Sequence, residues 1–359
     1  MALQASGTIK FSEIATEFGY PTDNKFGNYR VSVSLGGLSN LPLDSGIPQT
    51  SSIKFSDFYS KRLNIVVDCY TGGTQSRKSA KDDKWANNNV VMIGGFQTKP
   101  ANTGEGGSGD IKKNKKVIVH VNKTMSSANS SDQNICALRT GAWDAGTTLQ
   151  VDVGAEGIIA GAGGNGGFGA GGYSDYGPSN GGGDGQNGNS ALGIEYSPTT
   201  VNVLAGGKIL KGYGGGAGGR GARQVDSGAD RTACGGGGGG GMGTPAGAGG
   251  AAGPRLSGGA DEVATGSGGG SGSATFAGEG GGGGNNANEA IGQSGGDGGW
   301  TGGTPQPASG GKNIGSGNDP GTNRVAGSDG AAVRRISGYT VTVNNSGTIT
   351  GSTTATGVA

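Results

Sequence analysis

Val151-Asp-Val-Gly-Ala-Glu-Gly-Ile-Ile-Ala-Gly161 returns twice along the chain, as Val201-Asn-Val-Leu-Ala-Gly-Gly-Lys-Ile-Leu-Lys-Gly212 and as Val341-Thr-Val-Asn-Asn-Ser-Gly-Thr-Ile-Thr-Gly351. The shared form is Val-x-Val, three residues, Gly, one residue, Ile, then a glycine after one or two more. Apolar alternation on both sides of a glycine-containing turn predicts a hairpin-like strand, turn, strand unit. The first two copies run straight into Gly161-Ala-Gly-Gly-Asn-Gly-Gly167 and Gly212-Tyr-Gly-Gly-Gly-Ala-Gly-Gly219. A folded β unit is therefore expected at the root of each of these glycine runs.

Glycine dominates the composition. The chain has 359 residues and 86 glycines, against a usual share of roughly 7%, with 31% hydrophobic and 6% aromatic residues. Of these glycines, 66 fall between Gly154 and Gly330, so the remainder of the chain is nearly ordinary. A single large hydrophobic domain is excluded, because glycine adds no side chain to a core and loses the most backbone freedom on folding. The net charge of +1 lacks the basic excess that binding a phosphate backbone demands, so nucleic acid is not an expected partner. Cys69, Cys136 and Cys234 are odd in number and widely spaced, which suits free thiols. Met1 to Lys10 carries no signal-peptide pattern and no stretch reaches 18 apolar residues, so neither secretion by that route nor membrane insertion is expected.

A disordered linker does not account for single large residues planted in the glycine runs, among them Phe168, Tyr173, Tyr176, Tyr196, Tyr213, Phe276 and Trp300. Collagen requires glycine at every third position and abundant proline, whereas these runs slip phase, as at Gly235 to Gly241 followed by Met242, and the whole chain has 11 prolines. A third architecture keeps the polyproline II backbone, three residues per turn, and packs many such helices side by side. Only hydrogen fits where the backbones approach, and N–H groups bond to carbonyls of neighbouring helices. Tyr173, Tyr176, Tyr196, Tyr213 and Trp300, interleaved with Asp175, Asn180, Asp184, Asn187 and Asn189, would either seal the edges of such a slab or bind a partner at its turns.

The N-terminal 60 residues contain a near repeat: Ser6-Gly-Thr-Ile-Lys-Phe-Ser-Glu-Ile14 recurs as Thr50-Ser-Ser-Ile-Lys-Phe-Ser-Asp-Phe58. Each copy predicts a short strand entering a helical turn capped by Ser12 or Ser56. The apolar residues Ile9, Phe11, Ile53, Phe55 and Phe58 are candidates for docking onto a partner. Strand-length segments at 63–70, 89–93, 116–121, 134–138 and 148–153 predict a small β sandwich. The expected organisation is thus an attachment module at 1–60, a sandwich-like β domain at 61–153, a glycine-rich polyglycine II region at 154–330 and a β hairpin at 331–359. The fold class is mainly β with an irregular glycine-rich region.

Gly-Gly-x-Gly-Gly runs with isolated aromatics, entered through a Val-x-Val unit and followed by a short β C-terminus, resemble the receptor-binding tail-fibre adhesins of T-even-like bacteriophages. That resemblance implies an adhesin at the fibre tip. It implies a sandwich of polyglycine II helices, and loops that recognise a bacterial outer-membrane protein or surface glycan. Ile9-Lys-Phe-Ser12 and Ile53-Lys-Phe-Ser56 are similar to short repeats in structural proteins of marine myoviruses; residues 61–153 share in neither likeness. The implied partners are other phage tail or fibre proteins and the host receptor. The implied location is the virion tail or fibre tip after assembly in the host cytoplasm. A purely structural baseplate, tail or capsid decoration protein is the alternative.

Catalytic, cofactor and metal sites are not expected. His120 is the sole histidine and sits in the alternating run Val117 to Val121, where it reads as one face of a strand. Gly161-Ala-Gly-Gly-Asn-Gly imitates a dinucleotide fingerprint without the helix that motif requires. Asp82-Asp83 and Asp261-Glu262 lack the spacing of paired catalytic carboxylates or of a calcium loop.

Overall fold

The computed structural model describes residues 3–18, 26, 34–35, 38–39, 51–61, 65–69, 78–79, 92–93, 96–97, 116–127, 131–143, 145–171, 182–226, 229–254, 262–286, 290–291, 296–299, 304, 306 and 324–358. The architecture is mainly β. Three parallel sheets hold it together, and successive strands visit them in rotation. Lys116–Val121, Thr124–Ser126 and Cys136–Arg139 lie in the first, second and third sheet; Thr148–Val153, Ile158–Ala160 and Ser190–Ile194 repeat the circuit. Thr199–Val203, Lys208–Leu210 and Val333–Arg335 make the next turn, and Val341–Asn345, Thr348–Thr350 and Ala355–Thr356 the last described one. This is a three-sided parallel β coil, in which each turn buries its inward face against the turns beside it.

The threefold motif is the repeat of this coil. Val119, Val151, Val201 and Val343 are register partners across the first sheet. Met125, Ile159, Ile209 and Ile349 align across the second, and Leu138, Leu192 and Val333 across the third. These ladders form one continuous core, whose inner members are fully buried. Full burial of each such side chain contributes about 1.5–3 kcal/mol. The motif glycine sits at the corner between the first and second sheets. A Cβ on Gly157 would lie 2.2 Å from the carbonyl oxygen of Val121, and one on Gly347 would lie 2.3 Å from that of Gly207. The preceding turn of the coil leaves no room for a side chain there.

This arrangement corrects three expectations. The repeat is not a hairpin: Val151–Val153 and Ile158–Ala160 belong to different sheets, each paired in parallel with the same segment of adjacent turns. Residues 61–153 do not form a separate sandwich, since Ile65–Cys69, Lys116–Val121 and Thr148–Val153 align in parallel within the first sheet and continue into Thr199–Val203. The strands within 331–359 likewise pair in parallel with earlier turns and not with one another. In each case apolar alternation signals an inward face equally well for a hairpin and for a coil, and only long-range register separates them.

The glycine-rich residues are an insertion at one edge of this coil, between its second and third sheets. The chain leaves after Ala160 and returns at Ser190, then leaves after Leu210 and returns at Val333. Between these points it runs as extended segments that alternate outward and back, joined by backbone hydrogen bonds repeating at every third residue. Gly164, Gly167 and Ala170 donate to the carbonyls of Tyr213, Gly216 and Gly219. Asn189, Gln186 and Gly183 donate to Ala162, Asn165 and Phe168, which sets 182–189 antiparallel to 161–170.

Segment 234–243 is bonded on six sides. It donates to 164–170, 267–273 and 296–299, and accepts from 213–219, 247–253 and 278–284. It is also the longest uninterrupted glycine run, Gly235 to Gly241, and the two facts have one cause. A Cβ at any of these seven positions would stand 1.9–2.1 Å from a neighbouring backbone oxygen. Segments nearer the surface keep glycine only where they touch a neighbour, so Ala162, Asn165 and Phe168 recur at every third place in 161–170. Phase slipping along the sequence therefore reflects how many sides of a segment are covered.

Candidate functional site

The two N-terminal repeat copies fold against each other. Helix Phe11–Phe18 and the 3-10 turn Phe55–Phe58 start at equivalent positions. The cap differs from the expected serines: the Glu13 carboxylate accepts the Lys10 N–H at 2.7 Å, and the Asp57 carboxylate accepts the Lys54 N–H at 2.7 Å. Ser12 and Ser56 already lie inside the helical turn, so they cannot serve as its N-cap. Ile9, Ile14 and Phe58 are buried together, with Phe11, Phe26 and Ile53 packed against them. The Phe26 ring lies 5.3 Å from Phe11, 5.4 Å from Phe58 and 4.7 Å, edge-on, from Phe55. Of the five candidate docking residues, Ile9, Phe11, Ile53 and Phe58 make this small core, and Phe55 is exposed at 43%. Ile14, Phe26, Leu3 and Tyr59 complete the cluster; the repeat alignment contains Ile14, while nothing in the local pattern marks Phe26.

Of the aromatic candidates in the glycine-rich part, Tyr173, Tyr176 and Trp300 lie outside the described residues, as do Asp175 and Asn180. Tyr196 packs on the outside of the coil core, and its carbonyl accepts the Thr199 hydroxyl at 2.6 Å. Tyr213 is only 4% exposed. Its ring sits 4.3 Å from the Lys211 ammonium, which also pairs with Asp329 at 2.6 Å. Tyr213 thus secures the root of an outgoing segment and offers no open face for stacking.

The short polar residues have a shared structural task that composition did not reveal. Where a lattice N–H points away from any neighbouring carbonyl, a side chain from the next segment accepts it. Asp184 accepts the Val325 N–H at 3.0 Å, Asn187 the Ser328 N–H at 2.8 Å, and the Ser190 hydroxyl the Ala331 N–H at 2.9 Å, again at three-residue intervals. Asn165, Asp297 and Asp329 do the same for Ala248, Gly280 and Gly214. Asn189 instead donates to the Asp132 carbonyl and accepts the Ser127 hydroxyl.

The lattice has two different ends. At the coil end the chain reverses through 243–247 and 273–278. At the far end it carries an antiparallel hairpin, Ala222–Asp226 with Ala229–Ala233, beside which Glu262–Ala264 aligns in parallel, and the short pair Asn285–Asn286 with Ala290–Ile291. Exposed aromatic surface includes Phe168 at 54% and Phe276 at 67%. Phe276 stands on a rigid turn, because the Ser273 hydroxyl accepts the N–H groups of Thr275 and Phe276.

Among the described residues no group of histidine, cysteine or acidic side chains is arranged to hold a metal ion. His120 and Asp152 are adjacent register partners in the first sheet and both are buried. The Asp152 carboxylate accepts from Gln150 and, at 2.6 Å, from Asn202, whose own oxygen accepts from Asn344. This ladder ties adjacent turns together. Cys136 is buried in the third sheet, and burial pushes its thiol up to about 12.

The fold is a three-sided parallel β coil carrying a hydrogen-bonded glycine lattice as an insertion. No family model matches the chain, and no curated protein matches it. Among solved structures it is similar to the gp37-gp38 adhesin tip complex of the bacteriophage S16 long tail fiber, with 17% identity and a TM-score of 0.37 over 86% of this chain and 89% of that one. A likeness at that level carries no functional argument.

Proposed function

We propose that this chain is a non-enzymatic bacteriophage adhesin at the tail or fibre tip. Residues 1–60 attach it to other tail or fibre proteins, the coil is its rigid base, and loops at the far end of the lattice recognise an outer-membrane protein or surface glycan of the host. The glycine-rich segments are polyglycine II helices packed as a sandwich, a reading supported by hydrogen bonds at every third residue and by the absence of room for a Cβ. The observation that carries the functional reading is the topology. Outgoing and returning segments place the hairpin Ala222–Asp226/Ala229–Ala233 and the pair Asn285–Asn286/Ala290–Ile291 together at the end away from the coil. Rigid extended segments of about ten residues, rising roughly 3.1 Å each, would hold those loops some 30 Å from the base. A stiff scaffold presenting clustered loops is a common design for recognition.

The test is saturable binding of the purified chain to susceptible bacteria, with competition against phage adsorption. Replacing Val225–Asp230 by a short glycine linker is expected to abolish or redirect binding while amide protection in 234–243 persists. A chain that binds no susceptible host and fails to compete would overturn the reading in favour of a purely structural baseplate, tail or decoration protein.

A further inference from the structure

At the junction between the second sheet and the coil end of the lattice lies a cleft of about 270 Å³. We propose that it binds a single anionic sugar residue. The site lies at the opposite end of the lattice from the loops assigned above to the receptor and does not depend on that assignment.

The floor of the cleft is built by strand register. Lys208 pairs with Thr348 and Leu210 with Thr350 on adjacent turns, while Ile209 and Ile349 between them point into the core. Alternation therefore turns those four side chains outward on one flat patch. The wall comes from the turns at Met242 to Thr244 and at Ala274 to Thr275. Backbone bonds fix it in place: Tyr213 donates to Met242 at 2.9 Å, Gly243 to Ser273 at 3.1 Å and Thr244 to Gly161 at 3.0 Å. A ligand would enter a preformed site and would not have to order it, which lowers the cost of binding.

The chemistry of the lining selects the ligand. Among the described residues the Lys208 ammonium is in no ion pair, and the hydroxyls of Thr244, Thr348 and Thr350 make no hydrogen bond within the chain. Lys211, by contrast, is engaged by Asp329 and lies over the Tyr213 ring. The cleft therefore offers one uncommitted positive charge, three uncommitted hydroxyls and the aliphatic surfaces of Leu210 and Met242. A carboxylate, ring hydroxyls and a C–H face on one small molecule complement all three, which is the composition of a uronic or sialic acid. A bare inorganic anion would leave the hydroxyls and the apolar surface unused. The volume lies just below the usual range of roughly 300–1,000 Å³ for small-molecule sites, which limits the occupant to one ring.

The full-length chain is titrated with glucuronate, galacturonate and N-acetylneuraminate, with glucose as the neutral control, following the threonine methyl resonances of Thr244, Thr348 and Thr350. At least one acid is expected to shift all three with a Kd near the millimolar range, about −4 kcal/mol, and glucose is expected to bind at least tenfold more weakly. Lys208→Met should weaken the acid about tenfold without changing the melting temperature, since Lys208 is on the outer face. Thr350→Val should weaken it with charge unchanged. No shift with any of the three acids, equal binding of glucose, or unaltered affinity in Lys208→Met would each overturn the proposal. Cell attachment by Lys208→Met, measured in parallel, separates a failure here from a failure of the adhesin reading.

Discussion

Replacing Gly238 by alanine should destabilise the centre of the lattice. Its Cβ would stand 2.1 Å from the Gly216 carbonyl oxygen and 2.6 Å from the carbonyl carbon. Both are backbone atoms of a segment that is itself bonded on either side, so no flexible group can move aside. Restoring an ordinary contact needs a separation of more than 1 Å between 234–243 and 213–219. That displacement disrupts the bonds from Gly216 to Gly239 and from Gly219 to Gly236, and strains those joining Gly238 to Gly167 and Gly250. These two buried bonds, at about 1–3 kcal/mol each for groups left unsatisfied, give roughly 2–6 kcal/mol. The reduced freedom of the unfolded alanine chain returns about 0.4–1 kcal/mol. Gly282→Ala is the matched control, because its Cβ would meet only the Ser267 hydroxyl, at 3.7 Å. Calorimetric melting of both variants is the assay. At roughly 2–4 °C per kcal/mol, Gly238→Ala should melt about 2–20 °C lower, with amide protection lost first in 234–243, while Gly282→Ala should match or slightly exceed the parent. Equal melting of the two variants would refute the claim that close backbone approach dictates the glycine run.

Asn187→Ala should cost about 0.5–1.5 kcal/mol by leaving the Ser328 N–H without its acceptor, and Asn187→Asp should restore it, read as exchange of that amide. Asp329→Asn keeps an oxygen for the Gly214 N–H but loses the charge pair with Lys211. Its expected cost is no more than about 1 kcal/mol, less than that of Asp329→Ala, by urea unfolding. Phe58→Ala removes the fully buried ring at the centre of the N-terminal cluster. A loss of about 3–5 kcal/mol should unfold that module, seen as loss of amide protection in 9–14 and 53–59. Cys136 should resist thiol reagents at pH 8 and react after denaturation. Because its folded pKa is raised from 9.0 to about 12, its contribution to stability is present below pH 9 and is lost as pH rises from about 9 to about 12.

The sequence made the concentration of glycine and the β character of its repeat legible, because both follow from local composition and alternation. Val151, Val201 and Val343 stand out as equivalent positions. Their partners do not, since a corner between two sheets and a hairpin turn place the same apolar residues on the same side. An earlier turn of the coil escapes the pattern altogether: Val119-His-Val121 reaches Met125 across a tighter corner that lacks the glycine. The aromatic candidates are marked by their chemistry alone, but Tyr213 is buried with the Lys211 ammonium over its ring, and Asp329, which holds that lysine, lies 118 residues beyond it. The acceptor role of Asp184 and Asn187 was equally invisible, because the donors at Val325 and Ser328 are 141 residues away.

The insertion returns to the coil edge from which it departs, and this has a mechanical consequence. A pull on the far loops along the segment axis is transmitted to the base through many strands side by side, each cross-linked to its neighbours at every third residue. The cross-links lie transverse to the load, so they are stressed together in shear and are not peeled in sequence. Segment 234–243, tethered from six directions, cannot slide without breaking its bonds in concert. A material poor in hydrophobic side chains thereby gains tensile stiffness from its backbone alone.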